Sequence, residues 1–254
     1  MTTRRGAVLS KALRNDRIIA AAGLLGIAVL AWLYLGIEAS RMGAVSDSMD
    51  SMSAMHGSME GMDDSVMAPE PWLGGAFAPT FLMWSVMMVA MMLPSAMPAM
   101  VLYGSIFRKN RAAGSAVPST WIFAAGYLSV WTGFALAAAV LQAALDSSGL
   151  LTPTIASASP WLTGGLLVLA GVYQWLPFKD ACLQKCREPM TFFLMRWRAG
   201  AAGAFRMGAE HGLSCVGCCW ALMLLLFAAG VMNLLWVALI AAYILVEKLF
   251  RKDT

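Results

Sequence analysis

Residues 211–219 read His-Gly-Leu-Ser-Cys-Val-Gly-Cys-Cys. On a helix, His211, Cys215, Cys218 and Cys219 stand at i, i+4, i+7 and i+8 and share about a third of the circumference. Imidazole and thiolate are the ligands that soft and borderline metals prefer. Cysteine in an apolar helix can be a small packing residue. Three cysteines in five positions, with a histidine one turn earlier, exceed what packing asks for. Four ligands from one straight helix cannot close a tetrahedron, so further donors must come from elsewhere. Cys182 and Cys186, spaced CxxxC between Pro177 and Pro189, are the nearest supply. As a short helix, that stretch sets both thiols on one face. Glu210, beside His211, is the candidate partner for fixing the tautomer of the imidazole. Glu247 is expected to pair with Lys248 or with a neighbouring helix.

A second set of soft donors is made of thioethers. Met49, Met52, Met55, Met59 and Met62 recur every three or four residues, with His56 among them. Thioethers suit Cu(I) and need no deprotonation. They also resist the oxidation that would convert exposed thiols to disulfides outside the cytoplasm. Met83, Met87, Met88, Met91 and Met92 continue the bias in the next apolar run. Met83, Met87 and Met91 form a stripe, with Met88 and Met92 adjacent, and the five could relay an ion inward, although methionine more commonly fills irregular gaps in a core. Copper(I) is therefore the expected ion. Zinc is the alternative at the Cys/His cluster, since it takes the same ligands.

The elements that must position these groups are membrane helices. The 254-residue chain is 60% hydrophobic and 13% charged, with a mean hydropathy of +0.70. Crossing a bilayer takes about 20 apolar residues. Residues 18–37, 77–103, 117–145, 160–178, 212–230 and 231–249 qualify or nearly so. The last two form one apolar stretch that reverses at Gly230 and Asn233. Pro94 and Pro98 should kink or open the second span and free carbonyls that need new partners. The fold expected is an all-α transmembrane bundle of about six spans. A basic arm (1–17) and a first span (18–37) precede a flexible Met/His/acid-rich loop (38–76). A five-helix core (77–249) with a Cys-containing loop (179–206) and a short tail (250–254) complete it. Every Lys and Arg except Arg41 falls in alternate connections, which places both termini in the cytoplasm. The positive charge matches an anionic inner leaflet and calls for no nucleic acid.

Met91-Met-Leu-Pro-Ser-Ala-Met-Pro98, Gly171-Val-Tyr-Gln174, the stretch from Lys179 to Pro189 and Gly208-Ala-Glu-His-Gly-Leu-Ser-Cys-Val-Gly-Cys-Cys-Trp220 resemble a bacterial family. It is the family of predicted metal-binding integral membrane proteins known as domain of unknown function 2182. The resemblance covers about residues 77–248. It implies metal binding in the bacterial inner membrane through Cys182, Cys186, His211, Cys215, Cys218 and Cys219, without an assigned activity. The Met-rich loop lies outside it and leans the metal toward copper.

No HExxH, GxSxG or phosphate-cradling loop is present, so an enzyme is not expected. The reading is a copper(I)-handling membrane protein that binds, transports or delivers the ion. It may be set against two others: a non-transporting accessory or assembly subunit of a larger membrane complex, such as a copper enzyme, and a zinc-binding or thiol-redox membrane protein. Neighbouring Cys218 and Cys219 pair with each other only under strain.

Overall fold

The computed structural model describes residues 18–41, 43–44, 77–112, 120–151, 159–198, 200–231 and 233–250. Among them the fold is all-helical. Helix α1 spans Ile18–Arg41, α2 Phe77–Ala112, α3 Thr120–Ser147 and α4 Pro160–Gln174. Helix α5 spans Pro177–Arg187, α6 Pro189–Met195, α7 Gly200–Ala229 and α8 Leu234–Leu249. The basic arm, the Met-rich segment and the tail expected from the sequence lie outside the described residues.

Among the described residues, four helices are long and apolar enough to cross a membrane: α1, α2 as far as Ile106, α3 and α7. The expected fourth span stops at Gln174, where the chain turns by 66° into α5, so these two count as a fifth only if taken together as one broken span. Pro177 explains the break, because it disfavours helical backbone at the residue before it. The expected sixth span is α8, whose 16 residues cover about 24 Å. That falls short of a hydrocarbon core about 30 Å thick.

The expected loop 179–206 is mostly helix, and this corrects the sequence reading. It contains α5, α6 and the first turns of α7, which starts at Gly200 rather than Gly212. No proline stands between Gly200 and Gly212, and the alanines there favour helix despite Gly203 and Gly208. His211 and the cysteines therefore lie near the middle of a 30-residue helix, not in its opening turns.

Helix α7 is the hub, packing against α3, α5, α4 and α8. Its seat on α3 is a close approach of two backbones. A Cβ on Gly126 would fall on the carbonyl of Phe205, and one on Gly208 would fall on the carbonyl of Phe123. Gly212 likewise faces Tyr127 and Val130. Phe123 opposite Gly208 and Tyr127 opposite Gly212 show that the two helices run in the same direction. Small residues at such positions let dispersion contacts accumulate between helices.

Helix α2 runs antiparallel to α3. At one end Tyr103 stacks on Phe123 with ring centres 4.7 Å apart, and at the other Trp84 Nε1 donates to Gln142 Oε1 at 2.6 Å. The chain runs uninterrupted through Pro94 and Pro98. Pro94 has no N–H for the carbonyl four residues earlier, that of Ala90. That carbonyl instead accepts from Trp32 Nε1 of α1 at 3.1 Å. The expected freed carbonyl thus finds its partner in the first helix. Leu24, Ala28, Ala31 and Leu35 form the buried stripe of α1.

Gly126→Ala and Gly208→Ala should each lower stability by about 1–3 kcal/mol, the cost of overpacking a close contact. Gly164→Ala, with open space around its Cβ, should be neutral or stabilising. Unfolding midpoints in detergent check this, and an unchanged midpoint for Gly208→Ala would contradict the close seat.

Candidate metal centre

The buried face of α7 carries Gly208, His211, Gly212, Cys215, Cys218 and Cys219. Once Gly208 and Gly212 are seated on α3, the helical repeat aims Cys215 at Tyr127 and into the bundle. Cys215 Sγ is 3.1 Å from Tyr127 Oη and 2.9 Å from Lys248 Nζ. The thiols of Cys186, Cys218 and Cys219 all lie within side-chain interaction range of Cys215. Cys219 Sγ is 4.0 Å from Met92 Sδ. Four elements therefore bring sulfur or charge to one place: α2, α5, α7 and α8.

Every described cysteine is free. The thiols of Cys218 and Cys219 turn back along the helix and donate to the carbonyl of Cys215, at 3.0 and 2.9 Å. For this reason the sulfurs surround a common region without aiming at one point. Among the described residues, no group of three or more His, Cys, Asp or Glu side chains is arranged to hold a metal ion. A soft monovalent ion asks for less than zinc does, since thioether sulfur also serves it. Met92 supplies such a sulfur beside Cys219.

Cys186 of α5 reaches Cys215 and Cys218, as the need for outside donors anticipated. Cys182, one turn earlier, is buried over Gly217, next to Cys218 in the chain. Helix α5 is held in place by a buried ion pair. Lys179 is 2% exposed and bonds to Glu247 and to Gln174. Arg187 donates from Nε to the Glu247 carbonyl at 2.8 Å. Glu247 thus pairs with Lys179 of α5 and not with its neighbour Lys248. A polar cleft of about 690 Å³ opens beside this pair, between α5 and α8.

His211 sits one turn before Cys215 with its ring among Phe123, Tyr127 and Phe192, at centroid distances of 6.0, 5.9 and 6.1 Å. Its Nδ1 is buried without a hydrogen-bond partner. Glu210 does not fix its tautomer. Consecutive helical side chains diverge by about 100°, and the Glu210 carboxylate faces Arg196, Arg198 and Arg206 at 3.4, 3.7 and 3.3 Å. Met83, Met87, Met88, Met91 and Met92 are all buried in the core. Of these, Met92 is the one that meets a cysteine. Met49, Met52, Met55, His56, Met59 and Met62 lie outside the described residues.

Lys248 and Tyr127 were not anticipated as neighbours of Cys215. The signal was present in the hairpin. Cys215 lies 14 residues before the end of α7 at Ala229, and Lys248 lies 14 residues after the start of α8 at Leu234. Antiparallel helices joined by a short turn bring such residues to the same depth.

Residues 81–254 match the family PpoB2, described as copper chaperone. No curated protein and no solved structure matches the chain.

Lys179→Met should leave the Glu247 carboxylate half-buried and unpaired, at a cost of about 3 kcal/mol for a buried pair broken on one side. Helix α5 should loosen, and maleimide labelling of Cys182 and Cys186 should accelerate. Arg206→Gln, in an exposed pair, should leave labelling unchanged. Equal labelling in wild type and Lys179→Met would show that this pair does not hold α5.

Proposed function

The chain belongs to the PpoB2 copper-chaperone family, matched over residues 81–254, and from that premise we propose that it is an integral membrane carrier of Cu(I). The observation that carries this reading is the gathering of Cys186, Cys218 and Cys219 about Cys215, with Met92 beside Cys219. Sulfur donors from three helices, all buried except the half-buried Cys186, suit a soft ion that must be shielded from oxidation and from competing ligands. Residues 46–66, rich in thioethers, capture the ion on the outer face. Met83, Met87, Met88 and Met91 offer thioethers along α2 on the way to Met92. The thiols then hold the ion until a copper-dependent partner takes it. We read the protein as a carrier and not as an enzyme.

Placement in the bacterial inner membrane is part of the proposal. It is supported by the four long apolar helices and by large side chains left facing outward, such as Leu30, Val168, Val172 and Leu235. Exposed apolar surface on this scale marks a partner or a membrane. Trp161 and Trp175 are almost fully exposed at the two ends of α4, where interfacial aromatics belong. We extend the proposal to about six crossings with both termini inside, counting the bent α4–α5 pair and α8, whose shortfall of about 6 Å local thinning of the bilayer takes up. The basic residues support that orientation.

The chemistry at the thiols is ligand exchange. A thiol that ligates Cu(I) gives its proton to water, so loading releases protons. Unloading reverses this when a partner's donors displace the cysteines one at a time. Because the thiols rest on a backbone carbonyl, rotation of a side chain and not a backbone movement frees them to ligate.

The test is anaerobic Cu(I) loading of the full-length protein in detergent. Wild type should retain copper against a weak chelator, and Cys215→Ser should lose most of it. Deletion of residues 46–66 should slow capture from dilute Cu(I) in proteoliposomes while leaving the detergent-loaded amount intact. Full copper retention with Cys215, Cys218 and Cys219 all changed to Ser would overturn the assignment of the site.

A further inference from the structure

Lys248 Nζ is placed against sulfur instead of a carboxylate. It donates to Cys215 Sγ at 2.9 Å and to Ser95 Oγ at 3.0 Å. Among the described residues no carboxylate pairs with it: Glu247 is taken by Lys179, and Glu210 by three arginines. An ammonium withdrawn from water needs a compensating charge. The group offered to it here is the sulfur at the centre of the thiol cluster.

We propose that Lys248 is the specificity-determining residue of this site, its fixed positive charge selecting a monovalent ion over a divalent one. The inference rests on the copper reading above and deepens it. Two thiolates and one Cu(I) carry a single net negative charge. The ammonium beside Cys215 cancels that charge, so the loaded centre is neutral in a medium where net charge is costly. Two thiolates and one Zn(II) are already neutral, and the same ammonium then leaves an uncompensated positive charge. It also repels the divalent ion twice as strongly as the monovalent one. The shared ligand chemistry of copper and zinc, which thiols alone do not resolve, is resolved by the neighbouring charge.

The hairpin makes this charge difficult to withdraw. Lys248 follows Glu247, whose side chain is held by Lys179 and whose carbonyl is held by Arg187. The backbone just before Lys248 is therefore pinned to α5. Ser95, on the α2 turn that follows Pro94, fixes the ammonium from the other side and itself donates to the Met92 carbonyl at 2.9 Å. The charge is thus set against α7 and beside the thioether helix at once.

The experiment compares Cu(I) and Zn(II) affinities of full-length wild type, Lys248→Met and Lys248→Arg, by chelator competition in detergent under reducing, anaerobic conditions. Lys248→Met should bind Cu(I) about tenfold more weakly or worse, the scale of losing a desolvated charge partner. It should bind Zn(II) as well as or better than wild type. Lys248→Arg should keep the wild-type preference. Lys248→Gln, read against helical circular dichroism, serves if the Met variant does not fold. An unchanged Cu(I)/Zn(II) ratio in the neutral variants, with wild type binding Cu(I), would overturn the role of Lys248 and leave the copper site standing. Failure of wild type itself to bind Cu(I) would overturn both.

Discussion

The seat of α7 on α3 sets everything else in the molecule. Gly208 and Gly212 remove the side chains that would hold the two backbones apart, and Gly126 does the same from the opposite helix. Contact at backbone distance fixes the rotation of α7 about its own axis. Cys215 and Cys219 follow Gly212 at intervals of three and seven residues, on nearly the same line of the helix. A helix held on one line by glycine cannot turn its cysteines elsewhere. The sulfur centre is therefore a consequence of packing, and it is not carried on a mobile loop.

Polar groups inside this bundle are answered in ways that tie distant helices together. Gln142 receives the indole of Trp84, and Gly217, beside Cys218, offers its carbonyl to the Tyr173 hydroxyl. Lys179 and Glu247 join α5 to α8. Each of these contacts replaces water with a partner on another helix, and an unpaired group in such surroundings costs about 1–3 kcal/mol or more. The same logic brings α5 close enough for Cys186 to reach Cys215. Cys182 and Leu183 bury the apolar face of α5, Cys182 against Gly217 of α7, and the pair at Lys179 ties the same helix to α8.

How much of this was legible in the sequence differs element by element. The buried face of α7, which carries His211 and Cys215, Cys218 and Cys219, followed from spacing, because helical periodicity is a local property. The helical hairpin at Gly230 and Asn233 followed from turn chemistry, and Gly230 does take a positive φ of 89°. The start of α7 did not follow. Hydropathy marks where a helix can be apolar, not where it begins, and the charged turns with Arg206 and Glu210 remain helical. Glu210 was misread for a related reason: adjacency in sequence says nothing about which face of a helix a side chain takes. Lys248 reads in the sequence as an orienting basic residue and a partner for its neighbour, although counting residues back from the hairpin places it opposite Cys215.

The matched family begins at residue 81, so α1 and the Met-rich segment precede it. Helix α1 is nevertheless built into the core, through one contact that the matched part requires. Pro94 leaves the Ala90 carbonyl without its helical donor, and Trp32 supplies one at 3.1 Å. Ala90 lies two residues before Met92, the thioether that meets Cys219. The same turn of α2 therefore serves two ends: it presents sulfur to the thiols and takes its missing hydrogen bond from the first helix. Helices α1 and α2 are thus tied together at the turn of α2 that also holds Met92.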